Sequence, residues 1–132
     1  MSCPCGRPAD LAHCCGPFLA GAPPPTAEAL MRARYTAYVR GDIDFLVATH
    51  AAPEGQEVDR AAIERWARTA EWLGLEVLAT EGGGPDDDEG AVEFVARWRA
   101  GGAGERRHHE RSRFGRVDSR WMYLGGTEIK GP

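Results

Sequence analysis

The chain has 132 residues, a formal net charge of −4, 42% hydrophobic side chains and 27% charged ones, a length that suits one hydrophobic core with a small appendage. No stretch approaches the ~18 apolar residues needed to cross a membrane, and the N-terminus has neither the basic region nor the apolar run of a secretory leader, so a membrane role is excluded and a cytoplasmic location expected. Residues 1–96 carry 7 basic and 16 acidic side chains and residues 97–132 carry 9 and 4; the basic C-terminal quarter either meets an anionic ligand or RNA, or pairs with the acidic part of the same fold, the second being favoured.

All four cysteines lie in the opening stretch CPCGRPADLAHCCG, at Cys3, Cys5, Cys14 and Cys15. Two ligand pairs separated by a short loop suit a tetrahedral Zn(II) site, with each thiolate ~2.3 Å from the metal. Gly6 lets the backbone turn after the first pair, and Gly16 and Pro17 close the segment after the second. Bridges from Cys14 and Cys15 to Cys3 and Cys5 are the competing arrangement, and a reactive thiol the third. A reducing compartment favours metal over disulfides, and no C-x-x-C is present. His13 is a possible substitute for one thiolate. A site closed by four thiolates is structural rather than catalytic, so one structural Zn(II) per chain is expected. It should supply most of the folding energy of a segment too short to bury a core.

The segment GAPPP, Gly21 to Pro25, reads as a stiff connector. The implied organisation is a metal segment over 1–20, a proline-rich linker over 21–25 and a domain over 26–132. Thr26 offers an N-cap and Glu28 suits the first helical turn. Ala27, Met31, Tyr35 and Tyr38 form one apolar stripe at helical spacing. Gly41 suits a left-handed stop and Asp42 can cap a short second helix, with Ile43, Leu46, Val47 and His50 on one face. A third helix runs from Asp59, its cap, to about Ala70, with Ile63, Trp66, Ala67 and Ala70 on one side.

After Glu71 the period becomes strand-like. WLGLEVLAT alternates Leu73, Leu75 and Val77; GGGPDDDEG turns the chain. AVEFVARWRA alternates Val92, Phe94, Ala96 and Trp98 against Glu93, Val95, Arg97 and Arg99. GGAG turns it again, ERRHHERSRFGRV is the third strand, Asp118 and Ser119 form a two-residue turn, and RWMYLGG is the fourth. If that turn is so short, Phe114 and Tyr123 are cross-strand neighbours. Helices first and an antiparallel meander after them give an α+β fold, with helices on one face of a curved sheet.

The third strand is unusual because neither face is apolar: His108, Glu110, Ser112 and Phe114 alternate with His109, Arg111 and Arg113. One reading makes His109, Glu110, Arg111 and Arg113 a pocket for a small anionic ligand, with an arginine as bidentate clamp and Glu110 with His109 available for acid–base work. The other reading, preferred, is a salt-bridge network of Glu93, Glu110, Arg97 and Arg113. No catalytic residue is assigned, for the sequence has no nucleophile triad, phosphate-cradling loop or nucleic-acid motif. Nucleic-acid binding is therefore not expected, and nothing in the sequence fixes an oligomeric state.

The opening stretch resembles the SEC-C motif: Cys3, Pro4, Cys5, Gly6, Cys14, Cys15 and Gly16 match it, and the four cysteines fall on its zinc ligands. The usual middle is basic, whereas here it is RPADLAH. The blocks LMRARYTAYVRGDIDFLVATH, EWLGLEVL, VEFVARWR, HERSRF and WMYLGG resemble, in order and spacing, the bacterial YchJ family. In that family an N-terminal SEC-C segment precedes a nuclear-transport-factor-2-like domain. Several members carry a second SEC-C motif at the C-terminus, and this sequence has none. The resemblance implies a cone of helices wrapped by a strongly curved antiparallel sheet, a shape that often encloses a pocket. The resemblance brings no activity with it. The role expected is a binding or adaptor module for a small ligand or, through the zinc knuckle, a protein partner. The alternative is a hydrolase- or isomerase-type enzyme using polar groups in the cone.

Overall fold

The computed structural model describes residues 2–52 and 56–129; Met1 and residues 130–132 of the expected segments lie outside that range. A 3-10 turn, Leu11–His13, precedes helices α1 (Gly16–Leu19), α2 (Ala27–Arg40), α3 (Ile43–Ala48) and α4 (Arg60–Thr69). Strands β1 (Glu71–Gly82), β2 (Glu89–Arg99), β3 (Arg106–Val117) and β4 (Arg120–Glu128) follow. The sheet is an antiparallel meander in the order β1-β2-β3-β4.

The helix boundaries follow from local chemistry. Free amides at the helix starts take side-chain acceptors: Thr26 from Ala29 N, Asp42 from Phe45 N and Asp59 from Ala62 N. Gly41 ends α2 at φ 72°, the left-handed conformation that costs a glycine least. Asp118 and Ser119 join β3 to β4 at φ 51° and 69°, as a two-residue hairpin with primed-turn geometry requires.

The main core lies between α2 and the concave side of the sheet: Ala27, Leu30, Met31 and Tyr35 meet Val92, Phe94, Ala96, Phe114 and Trp121. The apolar stripe on α2 is only part of its burial. Ala29, Ala33, Arg34, Thr36 and Ala37 are buried as well, because the helix is also covered by the cysteine segment through Ala33 and by α3 through Ala37 and Leu46.

Strand β1 departs from simple alternation. Register shifts fall between Trp72 and Gly74 and between Val77 and Ala79. The first inserts Leu73, so Trp72, not Leu73, joins Leu75 and Val77 against the core. The proline-rich connector lies against the domain: Trp121 Nε1 donates to Pro25 O at 3.2 Å and Arg120 to Gly21 O at 3.1 Å. No helix among the described residues is long and apolar enough to cross a membrane.

Much of the basic C-terminal quarter faces acids or carbonyls of this fold. Arg99 pairs with Glu71, Arg97 with Glu105 and Arg111 with Glu81. Arg116 donates to the carbonyls of Asp87 and Pro85 in the acidic β1–β2 turn.

Candidate functional site

Two constructions stand out, and α2 runs between them. The first is the cysteine segment. Cys3 N donates to Ala9 O at 2.8 Å, and Gly6 N to Cys3 O at 3.3 Å; Gly6 makes the fold-back at φ 93°. A Cβ at Gly16 would stand 2.7 Å from Leu11 O, so only glycine lets the chain pass there. The result gathers the sulfurs of Cys3, Cys5, Cys14 and Cys15 within 4.8 Å of one another. The Sγ atoms of Cys5 and Cys14 are 3.5 Å apart and those of Cys14 and Cys15 4.0 Å. A tetrahedron of thiolates ~2.3 Å from a metal has edges of about 3.8 Å, so the spacing fits a metal ion. All four cysteines are free, with no disulfide among them. His13 is exposed and stands outside the cluster.

The close sulfurs act on one another's acidity. Hydrogen bonds, above all from Cys15, hold Cys5 down at about 4 against the effect of burial. Burial lifts Cys14 to about 11, and the bond to Cys5 raises Cys15 as well. A cation would take the place of thiol protons in such a cluster. The segment is fastened to α2 by Arg32 Nη1, which donates to Cys5 O at 2.8 Å, and by the 3.7 Å contact of Cys3 Sγ with Thr36 Oγ1.

The second construction is a cavity of about 90 Å³ on the other side of α2. Met31, Tyr35, Trp66, Trp72, Phe94 and Ala96 supply apolar wall, and Arg34, Tyr38, His108, Glu110, Ser112 and Tyr123 supply polar groups. The antiparallel register explains the polar part. Ala96 faces His108, Phe94 faces Glu110 and Val92 faces Ser112. Directly opposed residues share a face, so the apolar face of β2 carries the polar row of β3 inward with it.

Glu110 is the most engaged of these groups. Its Oε1 meets His108 Nε2 at 2.8 Å, while Oε2 accepts from Ser112 Oγ at 2.5 Å and from Tyr123 Oη at 3.1 Å. Burial alone would raise its carboxyl, but these bonds, led by that of His108, hold it below the ordinary range. The same bond raises His108. Arg34 is 5% exposed. Its Nη1 donates to Leu46 O at 2.9 Å and Thr49 Oγ1 at 2.7 Å, and its guanidinium lies 4.5 Å from the centre of the Tyr123 ring. Among the described residues no carboxylate forms an ion pair with it, and Nε and Nη2 make no hydrogen bond. Trp72 Nε1 is buried without a hydrogen-bond partner, as is Nδ1 of His50. The His50 ring packs edge-on against Tyr123, 4.9 Å between centroids, and burial lowers its basicity.

The four pocket residues expected from the sequence are not brought together. Glu110 lines the cavity, but His109, Arg111 and Arg113 project from the opposite face of β3. There His109 Nε2 meets Glu93 at 2.9 Å, while Arg111 and Arg113 border a separate depression with Glu81 and Glu89. The network of Glu93, Glu110, Arg97 and Arg113 does not form either; Glu93 pairs with His109, Glu110 with His108 and Arg97 with Glu105. Strand alternation separates position 110 from 109, 111 and 113. Arg34, Trp72 and His108 were not among the expected site residues, since an arginine in an amphipathic helix reads as surface until its neighbours are known.

Comparison with known proteins agrees with this architecture. Residues 26–126 match the family model described as YchJ, middle NTF2-like domain. A UPF0225 protein of Geobacter sulfurreducens is 46% identical over 129 residues, covering 97% of this chain and 80% of its own length. A UPF0225 protein of Chromobacterium violaceum is 48% identical over 130 residues, covering 95% and 91%. The solution structure of a SEC-C motif-containing protein from Rhodopseudomonas palustris superposes with a TM-score of 0.86 at 39% identity, over 98% of this chain and 100% of that one. The crystal structure of a SEC-C motif-containing protein from Psychrobacter arcticus gives 0.77 at 31%, over 98% and 84%. With residues 26–126 matched to that NTF2-like domain and its cysteines gathered at the N-terminus, the chain belongs to the YchJ (UPF0225) family of SEC-C motif-containing proteins.

Proposed function

We propose that this protein is a small-ligand-binding module whose cone holds the ligand and whose knuckle, loaded with one structural Zn(II) on Cys3, Cys5, Cys14 and Cys15, braces the helix that forms one wall. The observation that carries the reading is the cavity, about 90 Å³ between α2 and the sheet, lined on one side by rings and on the other by Arg34, His108, Glu110 and Ser112. Binding sites are concave, mostly apolar and furnished with a few convergent polar groups. A protein-docking adaptor would instead be supported by a filled cone and an exposed apolar patch beside the knuckle. The exposed large apolar residues Val39, Leu78 and Val117 are scattered. Free thiols suit a reducing compartment, in keeping with a cytoplasmic protein.

The closeness of His108 to Glu110 favours a second reading, general acid–base catalysis. Glu110 argues against it: both carboxylate oxygens are occupied, by three protein donors, which leaves it poorly placed to take a proton from substrate.

Metal analysis of purified protein tests the knuckle: one zinc per chain is expected, falling to near zero in Cys14→Ser. Ligand-observed NMR against a library of small acids, amides and amines tests the cone. The reading predicts hits that Phe94→Trp, which fills the cavity, abolishes. Hits that survive Phe94→Trp, or none at all, would refute it.

A further inference from the structure

Among the described residues the cavity holds side-chain donors without protein partners and no free carboxylate. Trp72 offers a buried indole N–H with no partner. Arg34 has Nε and Nη2 without hydrogen bonds, since its two bonds both use Nη1. Tyr38 lines the same space, and its hydroxyl makes no hydrogen bond among the described residues. Glu110, the one carboxylate in the lining, already accepts from His108, Ser112 and Tyr123. Polar groups inside a fold are nearly always satisfied, and the free Nε and Nη2 of Arg34 call for an acceptor.

Charge gives the second constraint. Tyr123 separates the two main charges: Arg34 lies over its ring face and Glu110 holds its hydroxyl. Glu110 shares its charge with His108 at 2.8 Å, so Arg34 keeps a full positive charge with no carboxylate in contact. An isolated buried charge is unfavourable unless it is paired. One negative charge balances it. A dianion would bring a second charge close to Glu110 in the same small space.

Size and wall chemistry give the third. About 90 Å³ is below the ~150 Å³ of an apolar cavity that holds benzene, and Met31, Tyr35, Trp66, Phe94 and Ala96 make one side apolar. Resting on the binding reading above, we infer that the cone takes a small monocarboxylate, its charged end on the free Nε and Nη2 of Arg34 and its short apolar tail against Phe94 and Trp66, in the space that the Trp72 ring also lines. Guanidinium and carboxylate match in planar two-point geometry.

The test uses the full-length, metal-loaded chain, uniformly labelled with nitrogen-15. The Trp72 indole resonance, assigned by its loss in Trp72→Phe, is followed during titration with sodium propanoate, propanamide and inorganic phosphate. A saturable shift in the millimolar range with propanoate is expected, at least tenfold weaker with either of the others, and lost in Arg34→Met. Propanamide binding as tightly as propanoate would overturn the anion assignment while leaving the binding reading intact. Tighter binding of phosphate would overturn the monocarboxylate class. No shift with any of the three would overturn the proposal, and the library screen on the same sample then decides whether the binding reading falls with it. The wild-type comparison of propanoate with propanamide does not depend on any variant folding.

Discussion

Replacing Arg34 with methionine should leave the ligand-free protein nearly as stable as before, which is unusual for a residue only 5% exposed. Three effects set the balance. Loss of the guanidinium leaves Leu46 O without its donor, at about 1–3 kcal/mol. Thr49 Oγ1 stays satisfied, because it donates to Phe45 O at 2.8 Å. The stacking on Tyr123 at 4.5 Å contributes up to about 2 kcal/mol when desolvated. Against these, an uncompensated buried charge disappears, which relieves several kcal/mol, roughly, of desolvation, and methionine fills much of the volume. The sum falls within about 1.5 kcal/mol of wild type, as such replacements are often neutral or stabilising. Urea unfolding followed by Trp fluorescence, with an unchanged m-value, measures it. If Arg34 were instead neutralised by Glu110, its removal would strand that carboxylate at about 3–5 kcal/mol. A loss of that size would refute the claim that the charge of Arg34 is left for a ligand.

The His108–Glu110 pair should make stability depend on pH. His108 is raised in the folded state, so its contribution is complete below the ordinary histidine range and is lost as pH rises through the folded value. Glu110 is lowered, so its contribution is present above the ordinary carboxyl range and is lost as pH falls through the folded value. The pair's own contribution should therefore be greater at pH 5.5 than at pH 8, while His50, whose basicity burial lowers, acts in the opposite direction. In urea melts His108→Gln should lower stability at pH 5.5 more than at pH 8, and an equal loss at both would contradict the pairing. Gly90→Ala should destabilise by roughly 2 kcal/mol or more, because the new Cβ would lie 2.5 Å from Gly83 Cα and 2.6 Å from Gly83 N; a thermal melt within a degree of wild type would contradict it. Replacing Asp118 and Ser119 by Asn-Gly should stabilise by about 1 kcal/mol, since both positions have positive φ, read as a higher urea midpoint.

The features written in short-range chemistry were legible in the sequence. Thr26, Asp42 and Asp59 cap their helices, Gly41 stops α2, and Phe114 faces Tyr123 across a two-residue turn. The spacing of the cysteines announced the metal-sized cluster for the same reason, as all four ligands come from one short stretch. What was not legible depended on register and on third-party contacts. The insertion of Leu73 puts Trp72 inside, and nothing in EWLGLEV marks a bulge. The inward turn of His108 and Glu110 follows from the pairing of Phe94 with Glu110, which the six-residue connection from Ala100 to Glu105 leaves undetermined. Arg34 is buried because α3 and β4 close over it; Leu46, Thr49 and Tyr123 are its contacts, and all lie at least twelve residues away.

Helix α2 has almost no free side: Arg32, Ala33 and Thr36 hold the cysteine segment, while Met31, Arg34, Tyr35 and Tyr38 form a wall of the cone. Events at the two ends of such a shared element are bound by reciprocity. Whatever factor metal loading imposes on the affinity of the cone, occupancy of the cone imposes on the affinity of the sulfurs. A competition titration with a zinc chelator, run with and without an occupant in the cone, would read that factor directly, making the thiol cluster a gauge of what the cone contains.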